Sequence, residues 1–345
     1  MKDLAGLNSD ARLALIDGAQ ILDEEKSEEL NPELGLIEDA ICSAAELCEL
    51  VIEPRAKLLG DWFREGDLGF VFAPRGVGKT WFALGLAGAI ASGSQFGPWP
   101  TGGSAASVLY IDGEMPLELI RDRVEMLQIR LDQLLILNHE HLFQKGGTAL
   151  NLAEPKVQNR ISELCIQHGV KALFLDNLSV LFGGLRENEA DSWELVLNWL
   201  MSLRRQRIAV VIVHHAGRGG KEMRGTSRRE DTAFWIIKLE AKDELDEDRN
   251  GARFVSMFTK QRNCPGDLAA VEWHFRPSND KVDVIHCPAS DVDIVLEWID
   301  CGHDSCNSIA KDMGISAAKV SKMVKKLIDA GKVRKNGRRY ELVEE

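Results

Sequence analysis

Four short runs in the first two-thirds of the chain are almost wholly apolar: "LGFVF" (68–72), "SVLYID" (107–112), "KALFLD" (171–176) and "IAVVIV" (208–213). Strands of this kind are buried on both faces, as in a parallel sheet covered by helices. Between them lie helical segments near 79–93, 116–129, 155–168 and 189–206. The alternation predicts an α/β domain with a mainly parallel sheet. Further strands are expected at about 233–239, 252–259 and 270–276, a β-rich finish to the same domain. Residues 1–55 read as an acidic helical segment, with Leu36, Ile37, Ile41, Ala44, Ala45 and Cys48 near one helical face.

Around "CPASD" (287–291) the pattern changes again. "DVDIVLEWIDCG" and "SCNSIAKDMG" predict two short helices, and "SAAKVSKMVKKLIDAG" a third that starts on Ser316 as N-cap. "KVRKNGRRYELV" predicts a hairpin, with Asn336-Gly337 suited to a type I′ turn. Three helices and a hairpin in this order read as a small winged helix. The expected division is therefore 1–55, 56–288 and 289–345. "CGHDSC" offers Cys301, His303 and Cys306 but no fourth ligand at clear spacing, so it reads as a helix–helix turn.

Charge modifies this picture. The chain has 345 residues and a formal net charge of −12, which argues against nucleic acid as a partner for the body. Residues 311–339, however, gather Lys311, Lys319, Lys322, Lys325, Lys326, Lys332, Arg334, Lys335, Arg338 and Arg339 against Asp312 and Asp329 alone. A basic end on an acidic body suggests a local nucleic-acid patch. The third helix would carry Lys319, Lys322 and Lys326 towards a duplex, and the hairpin Arg338 and Arg339. The chain opens without an export signal and has no run long enough to span a membrane, so its seven cysteines are expected to be reduced thiols in a cytoplasm.

The chemistry concentrates at strand ends. "VFAPRGVGKT" follows the first apolar strand and opens a helix. It matches the phosphate-binding loop, except that Ala73 replaces the first glycine. Ala73, Pro74, Arg75, Gly76, Val77, Gly78, Lys79 and Thr80 would wrap the phosphates of ATP, with the helix N-terminus adding its positive end. Lys79 would meet the β- and γ-phosphates, and the Thr80 hydroxyl would bind Mg²⁺. Asp176 ends "KALFLD" and would hold the same ion. "VLYIDGEMP" ends in Asp112 and Glu114 at a strand expected beside the phosphate-loop strand. Glu114 is the candidate to orient and deprotonate an attacking water, with Asp112 as the fallback. "VIVHHAGRGG" ends an apolar strand in His214 and His215.

The order of these elements resembles the RecA-like motor ATPases of the RecA, RadA, KaiC and DnaB group, and above all the RepA-type hexameric helicases of plasmids. "APRGVGKT", "VLYIDGEMP", "LFLDNLS", "VIVHHAGRGG" and "RGTSRRED" carry the resemblance, over about residues 58–276. It implies that His214 or His215 senses the γ-phosphate. Arg218, Lys221 and Arg224 in the loop behind the histidines would grip single-stranded DNA in a ring's central pore. "LFGGLRENEAD", with Arg186, would be the second pore loop. Lys260 and Arg262 of "FTKQRN" would reach the nucleotide of a neighbouring subunit. The implied activity is that of an ATP-hydrolysing, ring-forming replicative helicase of a mobile element. The alternative is a regulatory or recombination ATPase that binds DNA without unwinding it.

Overall fold

The computed structural model describes residues 36–37, 39–183, 190–217, 223, 228–242, 251–264, 268–303, 305–313, 315–337 and 339–343. The chain divides into two compact units, Met1–Pro54 and Arg55–Glu345. In the first, helix α1 (Ala44–Glu49) is started by a reciprocal capping box. The Ser43 hydroxyl accepts from the Glu46 N–H, and the Glu46 carboxylate accepts from the Ser43 N–H.

The second unit opens with a hairpin of β1 (Lys57–Leu59) and β2 (Phe63–Arg64) and continues as β3 (Leu68–Ala73), α2 (Lys79–Ser92), β4 (Ser107–Asp112), α3 (Leu117–Met126), β5 (Leu134–Asn138) and α4 (His139–Gly146). Then follow α5 (Pro155–Gln167), β6 (Val170–Asp176), α6 (Leu178–Leu181), α7 (Ala190–Arg205), β7 (Ala209–His215), α8 (Arg228–Thr232), β8 (Trp235–Ala241), β9 (Ala252–Gln261), β10 (Val271–Ser278) and β11 (Lys281–Pro288). β3 to β11 form one sheet in the order β11-β10-β9-β8-β3-β7-β6-β4-β5. Neighbours from β5 across to β8 are parallel, and those from β8 to β11 are antiparallel.

This order corrects one expectation. β4, which leads to Glu114, does not neighbour β3, because β6 and β7 come between them. β3 is instead flanked by β7 and β8, where its apolar side chains are covered on both faces. Four strands had no clear signal. β5 and β11 are the outermost strands of the sheet, where an open edge removes the demand for a continuously apolar run. The β1–β2 pair is too short to show a period.

Side chains alternate along each strand, so the sheet has two apolar faces. One packs β1, β2, α2 and α3 through Trp62, Phe63, Phe82, Val211 and Phe254. The other packs α5, α6 and α7 through Ile161, Leu181, Trp199, Leu203 and Ile212. Aromatic rings lock the first face: Trp62 meets Trp235 edge-on with centroids 4.9 Å apart, and Phe96 stacks on Trp273 at 4.6 Å. Phe82 of α2 meets Trp273 of β10 edge-on at 5.5 Å, which holds the helix that follows the phosphate loop. Gly69 of β3 leaves room for the Trp235 ring. A Cβ there would lie 2.1 Å from the Trp235 ring.

After the sheet come α9 (Asp291–Asp300), α10 (Cys306–Met313), α11 (Ala317–Asp329) and the hairpin β12 (Val333–Asn336) and β13 (Arg339–Leu342). Val295, Ile309, Val320, Val324, Leu327 and Val333 give these elements a core of their own. Ser316 caps α11, its hydroxyl accepting from the Lys319 N–H. The hairpin turn differs from expectation by one position. Asn336 pairs with Arg339, so Asn336 still belongs to the strand and the turn begins at Gly337, whose φ is +62°. His303 shares a hydrogen bond of 2.8 Å with Ser308, at the start of α10. Among the described residues no helix is long and apolar enough to cross a membrane.

Gly69→Ala is expected to destabilise the protein by about 1–3 kcal/mol, the cost of overpacking a filled core. Urea unfolding followed by tryptophan fluorescence checks this. An unchanged midpoint would mean that the Trp235 ring moves aside at no cost.

Candidate functional site

The parallel strands β3, β4, β6 and β7 all end at the same edge of the sheet. Functional side chains gather there because each chain crossover leaves that edge as a loop. Between the loops lies a cleft of about 450 Å³ lined by Arg75, Gly76, Gly78, Lys79, Thr80, Trp81, Glu114, Leu119, Arg123, Asp176 and His215, among others.

The phosphate loop forms the floor. Ala73 stands where the motif has glycine, and it remains a strand residue. It is fully buried and pairs with His215, while its carbonyl accepts from the Ala216 N–H at 3.0 Å. Pro74, Arg75 and Gly76 are exposed, and Val77 turns back into the core. Gly78 is the N-cap of α2 with φ +114°, and a Cβ there would meet the Ala252 side chain at 2.7 Å. Backbone conformation and space both demand glycine. Lys79 donates to the carbonyls of Ala73 and Pro74, at 3.2 and 2.8 Å. The loop thus closes on its own lysine, with the ammonium among polar oxygens. Burial pulls the Lys79 pKa down, and the charges of Asp176 and Glu114 partly restore it.

Asp176 is buried at the end of β6, where Tyr110 donates to it at 2.7 Å and Thr80 also bonds to it. Burial pushes its pKa up, and these two hydrogen bonds oppose the shift. A hydroxyl beside a carboxylate at a strand tip is a hard oxygen donor set, which fits Mg²⁺.

Asp112 and Glu114 separate in space. Asp112 is fully buried, accepts from the Met115 N–H and takes a 2.7 Å bond from Asn138. Asn138 also donates to the Met115 carbonyl and caps α4. Asp112 therefore shapes the turn, and Glu114, exposed at its apex, faces the cleft. Burial, with the neighbouring Asp176 charge, pushes Asp112 up to about 7. The Asn177 amide donates to the Glu114 carboxylate and lies 3.4 Å from His215 Nε2. The peptide bond joining Asp176 to Asn177 is cis.

The two histidines also part ways. β7 extends through both. His215 lies on the face of α2 and lines the cleft, whereas His214 is fully buried on the opposite face. Behind them Ala216 bridges to the buried Met223, so the chain folds back on itself. Arg218, Lys221, Arg224, Arg186 and Arg338 lie outside the described residues.

Lys260 and Arg262 are not in this cleft. β9 runs antiparallel to β8, so its last residues sit by Trp235, level with Gly69 at the far edge of the sheet. Lys260 donates to the Glu230 and Asp231 carbonyls, and Arg262 donates to the Asp231 carbonyl at 2.8 Å. Lys319, Lys322 and Lys326 are exposed on α11, and Arg339 is exposed on β13. Lys319 is paired with Asp291 at 2.6 Å.

Two cleft residues, Trp81 and Arg123, had no motif to announce them, and neither had Tyr110 and Asn177, which bond to Asp176 and Glu114. Arg123 sits 5.0 Å over the Trp81 ring, one turn beyond Leu119 on α3. The spacing of Leu119 and Arg123, on the helix that follows Glu114, was the available signal.

A phosphate loop on a mainly parallel sheet, facing an acidic strand tip, defines a P-loop nucleotide-binding protein. A family model described as an AAA domain matches residues 40–221, more than half of the chain, and the chain belongs to that family. Among solved structures, the flagellar accessory protein FlaH from Methanocaldococcus jannaschii matches at 12% identity and a TM-score of 0.44, covering 64% of this chain and 90% of that one. A KaiC-like protein from Pyrococcus horikoshii OT3 matches at 15% identity and 0.48, covering 67% and 99%. At this level neither likeness bears on function. A search of curated proteins finds no match.

Asp112 gives the site a pH signature. Its folded pKa of about 7 stands above the ordinary carboxyl value, so in that window the folded chain keeps a proton that the unfolded chain releases. The Asp112 contribution to stability then falls as pH rises towards about 7, by at most about 1.4 kcal/mol per unit. In nucleotide- and metal-free protein, Asp112→Asn is expected to flatten the fall of Tm between about pH 5 and 8. Equal slopes for the two proteins would show that Asp112 ionises as an ordinary carboxyl.

Proposed function

We propose that the chain is an ATP-hydrolysing RecA-like motor acting on DNA, a ring-forming replicative helicase of the RepA type carried by a plasmid or other mobile element. The observation that carries this reading is the cleft itself. A lysine, a hydroxyl–carboxylate pair, an outward glutamate and a strand-tip histidine converge there from separate elements.

The chemistry follows from the arrangement. Lys79 leaves the Ala73 and Pro74 carbonyls for the β- and γ-phosphate oxygens. Thr80 and Asp176 would hold Mg²⁺, which neutralises phosphate charge when bound. Glu114 takes the proton from a water aimed at the γ-phosphate. Asn177 fixes that carboxylate and places it in touch with His215, so the state of the phosphate reaches the loop behind β7 through one amide. Lys260 and Arg262, held away from their own cleft, supply positive charge to a neighbour's γ-phosphate in the ring. Arg186, Arg218, Lys221 and Arg224 grip single-stranded DNA in the pore. The C-terminal unit is a winged helix that presents Lys322 and Lys326 to duplex DNA; Lys319, engaged by Asp291, contributes less.

Strand displacement on a forked duplex tests the reading. Wild-type protein is expected to separate the strands with ATP, and Lys79→Ala to neither bind ATP nor separate them. DNA-stimulated hydrolysis without strand separation would favour an ATPase that binds DNA without unwinding it. For duplex binding, neutralising Lys322 and Lys326 is expected to flatten the log–log salt dependence by about 0.9 for each phosphate no longer paired with a lysine, and neutralising Lys319 by less. Unchanged salt dependence in the double variant would remove the C-terminal unit from the DNA interface.

A further inference from the structure

Arg262 lies in a tight turn whose neighbouring side chains are engaged. The Gln261 side chain accepts from the Cys264 N–H at 3.1 Å and donates to the Cys264 carbonyl at 2.5 Å, which closes the turn. Asn263 reaches in the other direction. Its amide donates to Asp67 at 2.6 Å and to the Trp62 carbonyl at 2.7 Å, and its oxygen accepts from Arg55 at 2.9 Å. Arg55 in turn holds the other oxygen of Asp67 at 2.5 Å and the Glu65 carbonyl at 3.1 Å. The clasp joins the entry to β3 and the exit of β9, with Arg55 and Asn263 separated by 208 positions in the chain.

Asp67 is a rigid anchor. It is 1% exposed, it accepts from the Arg64 N–H at 2.8 Å, and its carbonyl accepts from the Val210 N–H at 2.7 Å. The Arg55 and Arg204 guanidinium groups both lie over the Phe234 ring, at 4.8 and 4.6 Å from its centroid. The next strand residue after Phe234 is Trp235, so this anchor is continuous with the aromatic core. Arg262, by contrast, is exposed and donates to a carbonyl near the end of α8. A long cation that must deliver charge to one point gains from a fixed base and a movable tip. Asn263 supplies the base.

We propose that Asn263, seated on the Asp67–Arg55 pair, is the positioning residue that aims Lys260 and Arg262 across the subunit boundary. The inference rests on Arg262 acting on a neighbour's nucleotide, as in the ring-forming reading of function. Asn263 lies at the end of the sheet away from its own cleft, so its effect on turnover passes through the two cations it aims, Lys260 and Arg262. Removing the amide frees the turn to shift while leaving the cleft of the same chain intact. A misplacement of about 1 Å costs on the order of a hundredfold in rate.

The experiment uses the full chain with ATP and single-stranded DNA, and compares Arg262→Ala, Asn263→Ala and Asn263→Ser. Each Asn263 variant is expected to lose roughly tenfold to a hundredfold in kcat with KM for ATP within about twofold of wild type. Adding Lys79→Ala subunits, which keep Asn263 and Arg262, is expected to restore turnover in Asn263→Ala rings, because the neighbour then supplies a well-aimed Arg262. Misfolding confined to the variant's own chain could not be repaired in this way. If Arg262→Ala is impaired and rescued while both Asn263 variants turn over like wild type, the positioning role is wrong and the across-subunit reading survives. If Arg262→Ala itself keeps full turnover, or is not rescued in confirmed mixed rings, the across-subunit reading fails and takes the inference with it. Loss of folding in both Asn263 variants, seen by near-ultraviolet circular dichroism, would overturn the positioning role and assign the residue a structural one instead.

Discussion

The Asp176 carboxylate takes hydrogen bonds from Tyr110 of β4 and from Thr80 of α2, so one buried charge ties two strands to the phosphate-loop helix. A carboxylate at 3% exposure is tolerable only if it is paired and hydrogen-bonded. The pairing in turn dictates the sheet order. β6 must stand beside β4 for Tyr110 to reach Asp176, and near enough to β3 for Thr80 to reach it as well. With β7 filling the remaining place, the strand tips deliver Glu114, Asn177 and His215 to one side of the loop.

Charge and polarity are then distributed over the two ends of the sheet. At the cleft, burial disturbs the ionisation of Lys79 and Asp176, and beneath it that of Asp112. At the opposite end, Asp67, Arg55 and Asn263 satisfy one another and hold the turn that exposes Arg262. One end is arranged to receive phosphate and the other to present positive charge.

The interior of this arrangement was legible in the chain, and its periphery was not. β3, β4, β6 and β7 are continuously apolar because helices cover both their faces, so they announced themselves and fixed the positions of Lys79, Thr80, Glu114 and Asp176. β5 and β11 border the sheet and carry half-solvated patterns. Strand adjacency was the other blind spot. Nothing local says that β4 lies beyond β6 and β7, because that order follows from contacts distant in sequence. The same holds for Asn177 and Asn138, whose value lies in partners more than twenty residues away. His215 could be told from His214 only once the strand's alternation was set against the position of α2.

Glu114 stands at the centre of the proposed chemistry as the group that activates water, with Asp112 confined to shaping the turn beneath it. A single-turnover measurement of ATP cleavage by Glu114→Gln, with nucleotide affinity measured alongside, tests that division most directly. The expected result is near wild-type ATP binding with cleavage slowed by about 10²–10⁴-fold, the contribution of a general base. Wild-type cleavage in Glu114→Gln, with Asp112→Asn inactive, would contradict it and move the chemistry to the buried carboxyl.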